Sequence, residues 1–229
     1  MPDEQLLLTV LHISDLHFGE ILEGENADQL SARVPPFLAK FPHLEGLLGH
    51  HYKGVAALHD FYSTLWELQD SQKPVVIVTG DVTAYGAPNQ FSIANGFLGA
   101  ETPQSLFPIG LGVPDWQFSS ISGNHDYWSG SGLPIGPPSS VLRECFAQPF
   151  PYAVHIELQG GSKVSFLFID SDADVDGVNR FFARGDFVSQ LDNLNRTLPS
   201  IEENEFRVLV LHHSICHSGP RNVSARPAT

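Results

Sequence analysis

Cysteine is scarce in this chain, and its scarcity excludes one way of holding a fold together. Only Cys145 and Cys216 occur among the 229 residues. Two cysteines could form a single disulfide, but they cannot form the dense framework that stabilises small secreted domains. The sequence therefore predicts that the two thiols are reduced and buried.

Basic residues are also few, and their shortage bears on the possible partners. The chain has 12 Lys and Arg against 26 Asp and Glu, a formal net charge of -14, with no Lys/Arg cluster. Such a negative surface repels the phosphate backbone of DNA and RNA, so we expect no nucleic-acid partner. A small phosphorylated substrate stays open, because bound metal ions can reverse the local field.

Long apolar runs are missing as well. No segment approaches the roughly 18 apolar residues that a membrane span needs. The amino-terminal segment 1–5 has no basic residue, and the apolar run over 6–11 is too short for a signal peptide. We therefore expect a soluble cytoplasmic protein without a membrane partner. Its length and 42% hydrophobic content suit one globular domain over residues 1–229.

What the chain does contain is a regular order of strands and helices. Apolar runs predict strands over 6–13 and 74–79, and three- and four-residue spacing predicts a helix over 55–69. This order favours parallel strands joined by a helical crossover. Residues 20–52, rich in Pro, Gly and His, are predicted to be an insertion. Further predictions are a weak helix over 89–99, a short strand over 119–122, a surface loop over 129–140, a hairpin over 152–170, a helix over 186–198 and a strand over 206–211.

Metal-binding side chains stand where four of the predicted strands end. The four groups are Asp15-Leu16-His17, Gly80-Asp81, Gly123-Asn124-His125-Asp126 and His212-His213. The carboxyl edge of such a sheet is where open α/β folds bind ligands. Carboxylate, imidazole and amide oxygen suit Zn, Fe, Mn and similar ions, and the absence of cysteine from the set argues against a thiolate zinc site. The sequence therefore predicts a metal site at this edge.

The spacing of these residues suggests how two ions could be held. Asp15 and His17 are two apart, so on an extended segment both side chains would point the same way and bind one ion. Asp81 has two carboxylate oxygens and could bridge to a second ion, completed by Asn124 and His212. Two ions about 3.5–4 Å apart can activate a water at a phosphoryl centre. His125, beside Asn124, could donate a proton to the leaving oxygen or stabilise its charge.

Each motif has a plainer interpretation when taken alone. Asp15 could cap the following helix, and Gly80-Asp81 could be an ordinary turn. Asn124 and Asp126 are common turn residues too. His213 alternates away from His212, which favours packing or substrate contact over metal ligation. Chance occurrence of all four motifs in this order is improbable, so the plainer interpretation is strongly disfavoured for the set as a whole.

The ordered motifs resemble those of the calcineurin-like metallophosphoesterase family, over residues 6 to about 213. The resemblance implies an α/β fold of two packed mixed β-sheets flanked by helices in four layers. It implies a dinuclear centre of two divalent or trivalent ions, Mn, Fe or Zn. Asp15, His17 and Asp81 would bind the first ion, and Asp81, Asn124 and His212 the second. His125 would be the acid or charge stabiliser.

Two features depart from the family pattern. The usual final motif, Gly-His-x-His, is absent, and Cys216-His217-Ser218-Gly219 does not reproduce it. We therefore expect a domain that is incomplete at its carboxyl end, with weak metal binding, poor turnover and a loosely packed tail over 218–229. The Asp-Arg-Gly that follows Gly-Asp in Ser/Thr protein phosphatases is absent too, which disfavours that branch.

The implied reaction is hydrolysis of a phosphomonoester or phosphodiester by a metal-bridging water. The expected substrate is small and phosphorylated, and a cyclic nucleotide or glycerophosphodiester is preferred. Two alternatives stay open: a catalytically impaired or non-catalytic binding module with the same fold, and a nuclease of the same family. The sequence does not indicate the oligomeric state.

Overall fold

The computed structural model of the protein describes ten parts of the chain. The predicted insertion over 20–52, apart from its last residue, and the tail over 218–229 lie outside them, as does Cys216. The described residues are 7–19, 52–68, 74–99, 110–113, 115–130, 136–146, 148–175, 180, 185–197 and 203–213.

The first sheet has three parallel strands in the order β1-β2-β3. Strand β1 is Val10–Ile13, β2 is Val75–Thr79 and β3 is Ser120–Ile121. Helix α1, Tyr52–Leu68, lies between β1 and β2 in the chain, and helix α2, Pro88–Gly99, lies between β2 and β3. The predicted parallel pairing of the first two strands is therefore confirmed, and the strand ends meet at one edge.

The second sheet is mixed and has the order β4-β5-β6. Strands β4, Tyr152–Glu157, and β5, Lys163–Phe168, form the predicted antiparallel hairpin, and β6, Glu205–Val210, runs parallel to β5. The hairpin turn contains two glycines with φ of 84° and 79°, Gly160 and Gly161. Positive φ at both central residues matches the twist of the flanking strands, and side chains would strain it.

Three further helices complete the described elements. A 3-10 helix, Trp116–Ser119, leads directly into β3, and α3, Ser140–Cys145, follows the predicted surface loop. Helix α3 was not expected from the sequence, although Ser139 caps it by accepting a hydrogen bond from the Val141 amide. Helix α4 is Val188–Thr197, close to its predicted bounds. Cys145, at the end of α3, is a buried free thiol, as predicted.

The two sheets pack face to face through an apolar layer. Ile77 of β2 and Ile121 of β3 meet Val164, Phe166 and Phe168 of β5. The alternate residue Val78 of β2 points into a second core, which α1, α2, α3 and the 3-10 helix complete. Alternation along β2 thus supplies both cores, and the predicted α/β fold of packed sheets flanked by helices is confirmed.

Replacement of Phe168 by alanine should strongly destabilise the protein. Phe168 is fully buried between the sheets, and its ring stacks on Tyr152 with centroids 4.7 Å apart. The lost contacts and the resulting cavity should lower the free energy of unfolding by about 3–5 kcal/mol, measured by urea denaturation. Phe206→Ala is the matched control, because Phe206 is 67% exposed. Equal losses in the two variants would show that the sheets do not pack as described.

Candidate metal centre

The loops that follow β1 and β2 continue the pairing of the two strands. The Asp15 amide donates to the Gly80 carbonyl at 3.1 Å, and the His17 amide donates to the Asp81 carbonyl at 2.8 Å. A further parallel bridge joins Phe18 to Thr83. Backbone hydrogen bonds therefore hold the two motifs side by side beyond the end of the sheet.

Three predicted metal ligands have left-handed backbone conformations. The φ angles are 57° at Asp15, 44° at His17 and 50° at Asp81. For residues other than glycine this conformation costs roughly 1–2 kcal/mol each. The prediction that Asp15 and His17 lie on an extended segment is therefore wrong. Their side chains still converge, because the two turns direct them to one point, with His17 Nε2 3.6 Å from Asp15 Oδ1.

Two glycines allow the second and third motif loops to touch. A Cβ on Gly80 would lie 2.4 Å from the Gly123 nitrogen, and a Cβ on Gly123 would lie 2.3 Å from Asp81 Oδ1. Neither position has room for a side chain. The glycine of each motif is thus required by close approach to the other loop, and this contact determines where the Asp81 carboxylate lies.

Asp81 occupies the centre of the cluster and is 3% exposed. Its Oδ1 accepts a hydrogen bond of 2.8 Å from the His125 amide. Its Oδ2 faces two imidazoles, at 3.6 Å from His17 Nε2 and 3.4 Å from His212 Nε2. One carboxylate oxygen therefore lies between histidines that come from different sheets.

His212 and Asn124 are each oriented by a hydrogen bond to a backbone carbonyl. His212 follows β6, and its Nδ1 donates to the Thr79 carbonyl at 2.6 Å, which leaves Nε2 facing the cluster. That Nε2 is 3.2 Å from Asn124 Oδ1. The amide nitrogen of Asn124 donates to the Arg180 carbonyl at 3.2 Å, so the oxygen of Asn124 is the atom directed inward.

These separations suit atoms that share a metal ion. Two ligand atoms each about 2.1 Å from one tetrahedral ion lie about 3.4 Å apart. The observed distances of 3.2 to 3.6 Å match that value. The donors are carboxylate, imidazole and amide oxygen, which Zn, Fe and Mn accept. The described residues thus fit divalent metal, and all five predicted ligands, Asp15, His17, Asp81, Asn124 and His212, are brought together.

The carboxylates and imidazoles group differently from the predicted spheres. His17, Asp81 and His125 form one set of ligand atoms within 4.8 Å of one another, and Asp15, Asp81 and His212 form another. Asp81 belongs to both sets, in keeping with a bridging position. His213 belongs to neither, because its Nδ1 turns to the Ser171 hydroxyl at 2.8 Å.

His125 lies at the edge of the cluster, with its ring held on three sides. Its Nδ1 donates to the Ala84 carbonyl at 2.7 Å, and its ring stacks on Trp128 with centroids 4.6 Å apart. The His17 ring meets it edge-on at 4.5 Å. The orientation of Nε2 is therefore determined by packing and by one hydrogen bond.

The electrostatics of the cluster reveal an excess of buried negative charge. A hydrogen bond from His17 lowers the pKa of Asp15 far below its usual range. Burial alone would lower the pKa of His212, but hydrogen bonding to Asp81 and the charge of Asp81 outweigh it and raise that pKa to about 10. In the same way Asp15 and Asp81 raise the pKa of His17 against the effect of burial. Protons on the histidines therefore compensate the carboxylates.

Sequence reasoning missed the role of Asp126. Its side chain is fully buried and accepts hydrogen bonds from the Thr83 amide at 2.9 Å, the Thr83 hydroxyl at 2.8 Å and the Gly123 amide at 3.0 Å. Burial raises its pKa to about 6. Asp126 thus ties the second motif loop to the third. Its place in the Gly-Asn-His-Asp motif was the available signal, whereas nothing local pointed to Arg180 or Trp128.

Comparison with models of known protein families assigns the chain to one of these families. The family model described as calcineurin-like phosphoesterase matches residues 8–226. The chain belongs to the calcineurin-like phosphoesterase family, whose members bind divalent metals and hydrolyse phosphoesters. No curated protein and no solved structure matches it. Within the described part of the chain, no helix has the length and apolar character to cross a membrane.

Gly123→Ala should disrupt the cluster by steric contact. The new methyl group would displace the Asp81 carboxylate, and we expect Mn²⁺ affinity to fall about tenfold to a hundredfold in calorimetric titration. Gly160→Ala is the control, since a Cβ there meets nothing within 4 Å although φ is 84°. It should lower stability modestly and leave metal affinity unchanged. Equal metal affinity in Gly123→Ala and the parent protein would contradict the described contact.

Metal binding should release protons. Because the pKa of His212 is raised to about 10, its ring is protonated at neutral pH in the metal-free protein. A metal requires neutral Nε2, so binding at pH 7.5 should release at least one proton per chain, from His212 and from the fraction that His17 holds, and affinity should rise with pH up to the pKa of His212. Titrations in two buffers of different ionisation enthalpy measure the release. A binding heat that is the same in both buffers would contradict this assignment.

Proposed function

We propose that the protein is a metal-dependent hydrolase of small phosphodiesters. The observation that carries the proposal is the position of Asp81 Oδ2, 3.6 Å from His17 Nε2 and 3.4 Å from His212 Nε2. Asp15, His17 and Asp81 would hold one ion, and Asp81, Asn124 and His212 the second. When bound, two such ions supply Lewis acidity toward a phosphoryl oxygen and lower the pKa of a water nucleophile.

Hydrogen bonds from the chain's own residues would orient the metal ligands. Asp81 is held through its Oδ1 by the His125 amide, so its Oδ2 stays directed at both histidines. The Thr79 carbonyl fixes His212 as the tautomer whose Nε2 faces inward. The Arg180 carbonyl accepts a hydrogen bond from the amide nitrogen of Asn124, so the amide oxygen of Asn124 faces inward. Little rearrangement would then be needed when metal or substrate binds.

His125 would move a proton at Nε2. Its Nδ1–H is engaged by the Ala84 carbonyl, so only Nε2 can reach a reacting group. Burial lowers the pKa of His125, so the neutral ring with its proton on Nδ1 is favoured, and the donor role belongs to the smaller protonated fraction, which is the stronger acid. The leaving oxygen of a phosphoester carries developing negative charge and would take that proton, or be stabilised by it.

A phosphodiester is favoured over a phosphomonoester on grounds of charge. A diester group carries one negative charge and a monoester close to two, and the chain itself has a net charge of -14. The lower charge of a diester is the smaller electrostatic obstacle to binding. A cyclic nucleotide or a glycerophosphodiester would meet this requirement.

The first test is hydrolysis of two chromogenic esters by the metal-loaded protein. We expect a higher kcat/KM on bis(p-nitrophenyl) phosphate than on p-nitrophenyl phosphate, and loss of both activities in Asp81→Asn. A preference for the monoester would overturn the substrate class. Stoichiometric metal binding without hydrolysis of either ester would favour the non-catalytic binding module instead.

His125→Gln should slow hydrolysis in a way that depends on the leaving group. Loss of a proton donor should reduce kcat by about 10²–10⁴-fold for diesters with alkoxide leaving groups. The loss should be much smaller for bis(p-nitrophenyl) phosphate, because p-nitrophenolate leaves without help. Kinetics on the two kinds of diester give the comparison, and metal content is measured alongside. An equal loss for both substrates would exclude the proton-donor role.

A further inference from the structure

A cavity of about 960 Å³ lies beside the metal centre, and none of the predicted metal ligands lines it. Its walls come from α3, α4 and the segments that follow β3 and β5. Ser122 and Tyr127, which flank the third motif, contribute to the wall nearest the cluster. The cavity therefore lies on the far side of that motif loop.

One wall of the cavity is apolar. Leu142 and Phe146 of the α3 region and Phe150 contribute to it, together with three prolines: Pro137, Pro138 and Pro149. Phe146 is buried and packs edge-on against Trp116, with centroids 5.9 Å apart. This wall is thus suited to an apolar or aromatic body.

The carboxylates of the opposite wall are already engaged. Asp170 is 1% exposed and accepts hydrogen bonds from the Tyr127 hydroxyl and, at 2.9 Å, from the Asp172 amide. Asp174 accepts a hydrogen bond from the Ser189 hydroxyl. Hydrogen bonds thus occupy oxygens of both carboxylates but leave their negative charge in place, so binding of an anion here depends on the arginines of the cavity.

The cations of the cavity keep unused donors. Arg180 is 7% exposed, and its guanidinium lies 4.8 Å from the centre of the Tyr127 ring. Its Nη2 donates to the Asp172 and Val175 carbonyls at 3.2 and 2.6 Å. Its buried Nε has no hydrogen-bond acceptor among the described residues. The charge of Arg180 also acts on Asp172, but a buried donor that no described residue accepts is costly, and an anion in the cavity would relieve that cost.

A second arginine lines the cavity from α3. Arg143 is exposed in the last turn of that helix, and no carboxylate pairs with it within the part of the chain that the structure describes. Two guanidinium groups thus line one cavity, and guanidinium is the side chain best suited to phosphate and carboxylate.

We propose that this cavity binds an organic anion: a phosphate, phosphonate or carboxylate group attached to an apolar or aromatic body. Arg180 and Arg143 contact the anionic group, and Phe146 and Phe150 contact the body. The anion is either the distal part of the substrate or a separate effector. Only the first source depends on the proposed function; binding to the cavity does not.

Binding of phenylphosphonate to the full chain after removal of metal with a chelator tests the cavity alone. We expect saturable binding by calorimetry, with no comparable binding of benzylamine. Arg143→Gln should weaken phenylphosphonate binding about three- to tenfold, and Arg180→Gln about tenfold to a hundredfold. Arg196→Gln is the matched control, because Arg196 is also an exposed arginine in the last turn of a helix but does not line the cavity. It should bind like the parent protein.

Three outcomes would overturn the proposal: no saturable binding of phenylphosphonate, tighter binding of benzylamine, or equal affinity in the parent protein and Arg143→Gln. The last criterion keeps the test decisive even if Arg180→Gln fails to fold.

Inhibition of the metal-loaded protein distinguishes the two sources of the anion. Phenylphosphonate should inhibit diester hydrolysis, and this inhibition should weaken in Arg143→Gln. If phenylphosphonate raises the KM for the diester, the cavity binds the distal part of the substrate. If phenylphosphonate changes kcat instead, the cavity binds a separate effector. Absence of hydrolysis would refute the proposed function and leave the binding result standing.

Discussion

The contact between Gly80 and Gly123 is the constraint on which the rest of the site depends. It brings the second and third motif loops so close that a Cβ on either glycine would collide with the other loop. In consequence the Asp81 carboxylate is buried at the point where β1, β2 and β3 end and where His212 arrives from the second sheet. The left-handed turns at Asp15, His17 and Asp81 are sustained by the same contact and by the backbone bonds between the loops.

Buried negative charge is the second physical constraint on the site. Asp81, Asp126, Asp170 and Asp172 are each at most 3% exposed. At Asp172 burial is the largest effect and raises the pKa to about 8, although the charges of His212 and Arg180 act to lower it. Asp81 behaves differently: burial would raise its pKa, but His212, His125 and His17 together lower it. The buried carboxylates around Asp81 are thus stabilised by nearby positive charge. A divalent metal ion compensates their charge more completely than a protonated imidazole does.

The sequence predicted the strands and the convergence of the five candidate ligands because both depend on local signals. The apolar run of β2 ends directly at Gly80-Asp81, and the apolar run of β6 is followed within two residues by His212. What it could not predict depends on contacts between distant segments. Positive φ at Asp15 and His17 follows from pairing with the Gly80-Asp81 loop, and the role of Asp126 follows from its bonds to Thr83. Helix α3 is six residues long, too short for a clear periodic pattern.

The third motif loop has two faces, and Arg180 joins them. Its carbonyl orients Asn124 toward the metal cluster, whereas its guanidinium stacks over Tyr127 in the cavity behind the loop. Tyr127 in turn donates to Asp170, which the Gln190 side chain of α4 also contacts through the backbone. Any ligand that draws the guanidinium toward itself must act on the residue that holds Asn124. A group bound in the cavity would therefore act on the residue whose carbonyl holds Asn124 in the candidate metal centre.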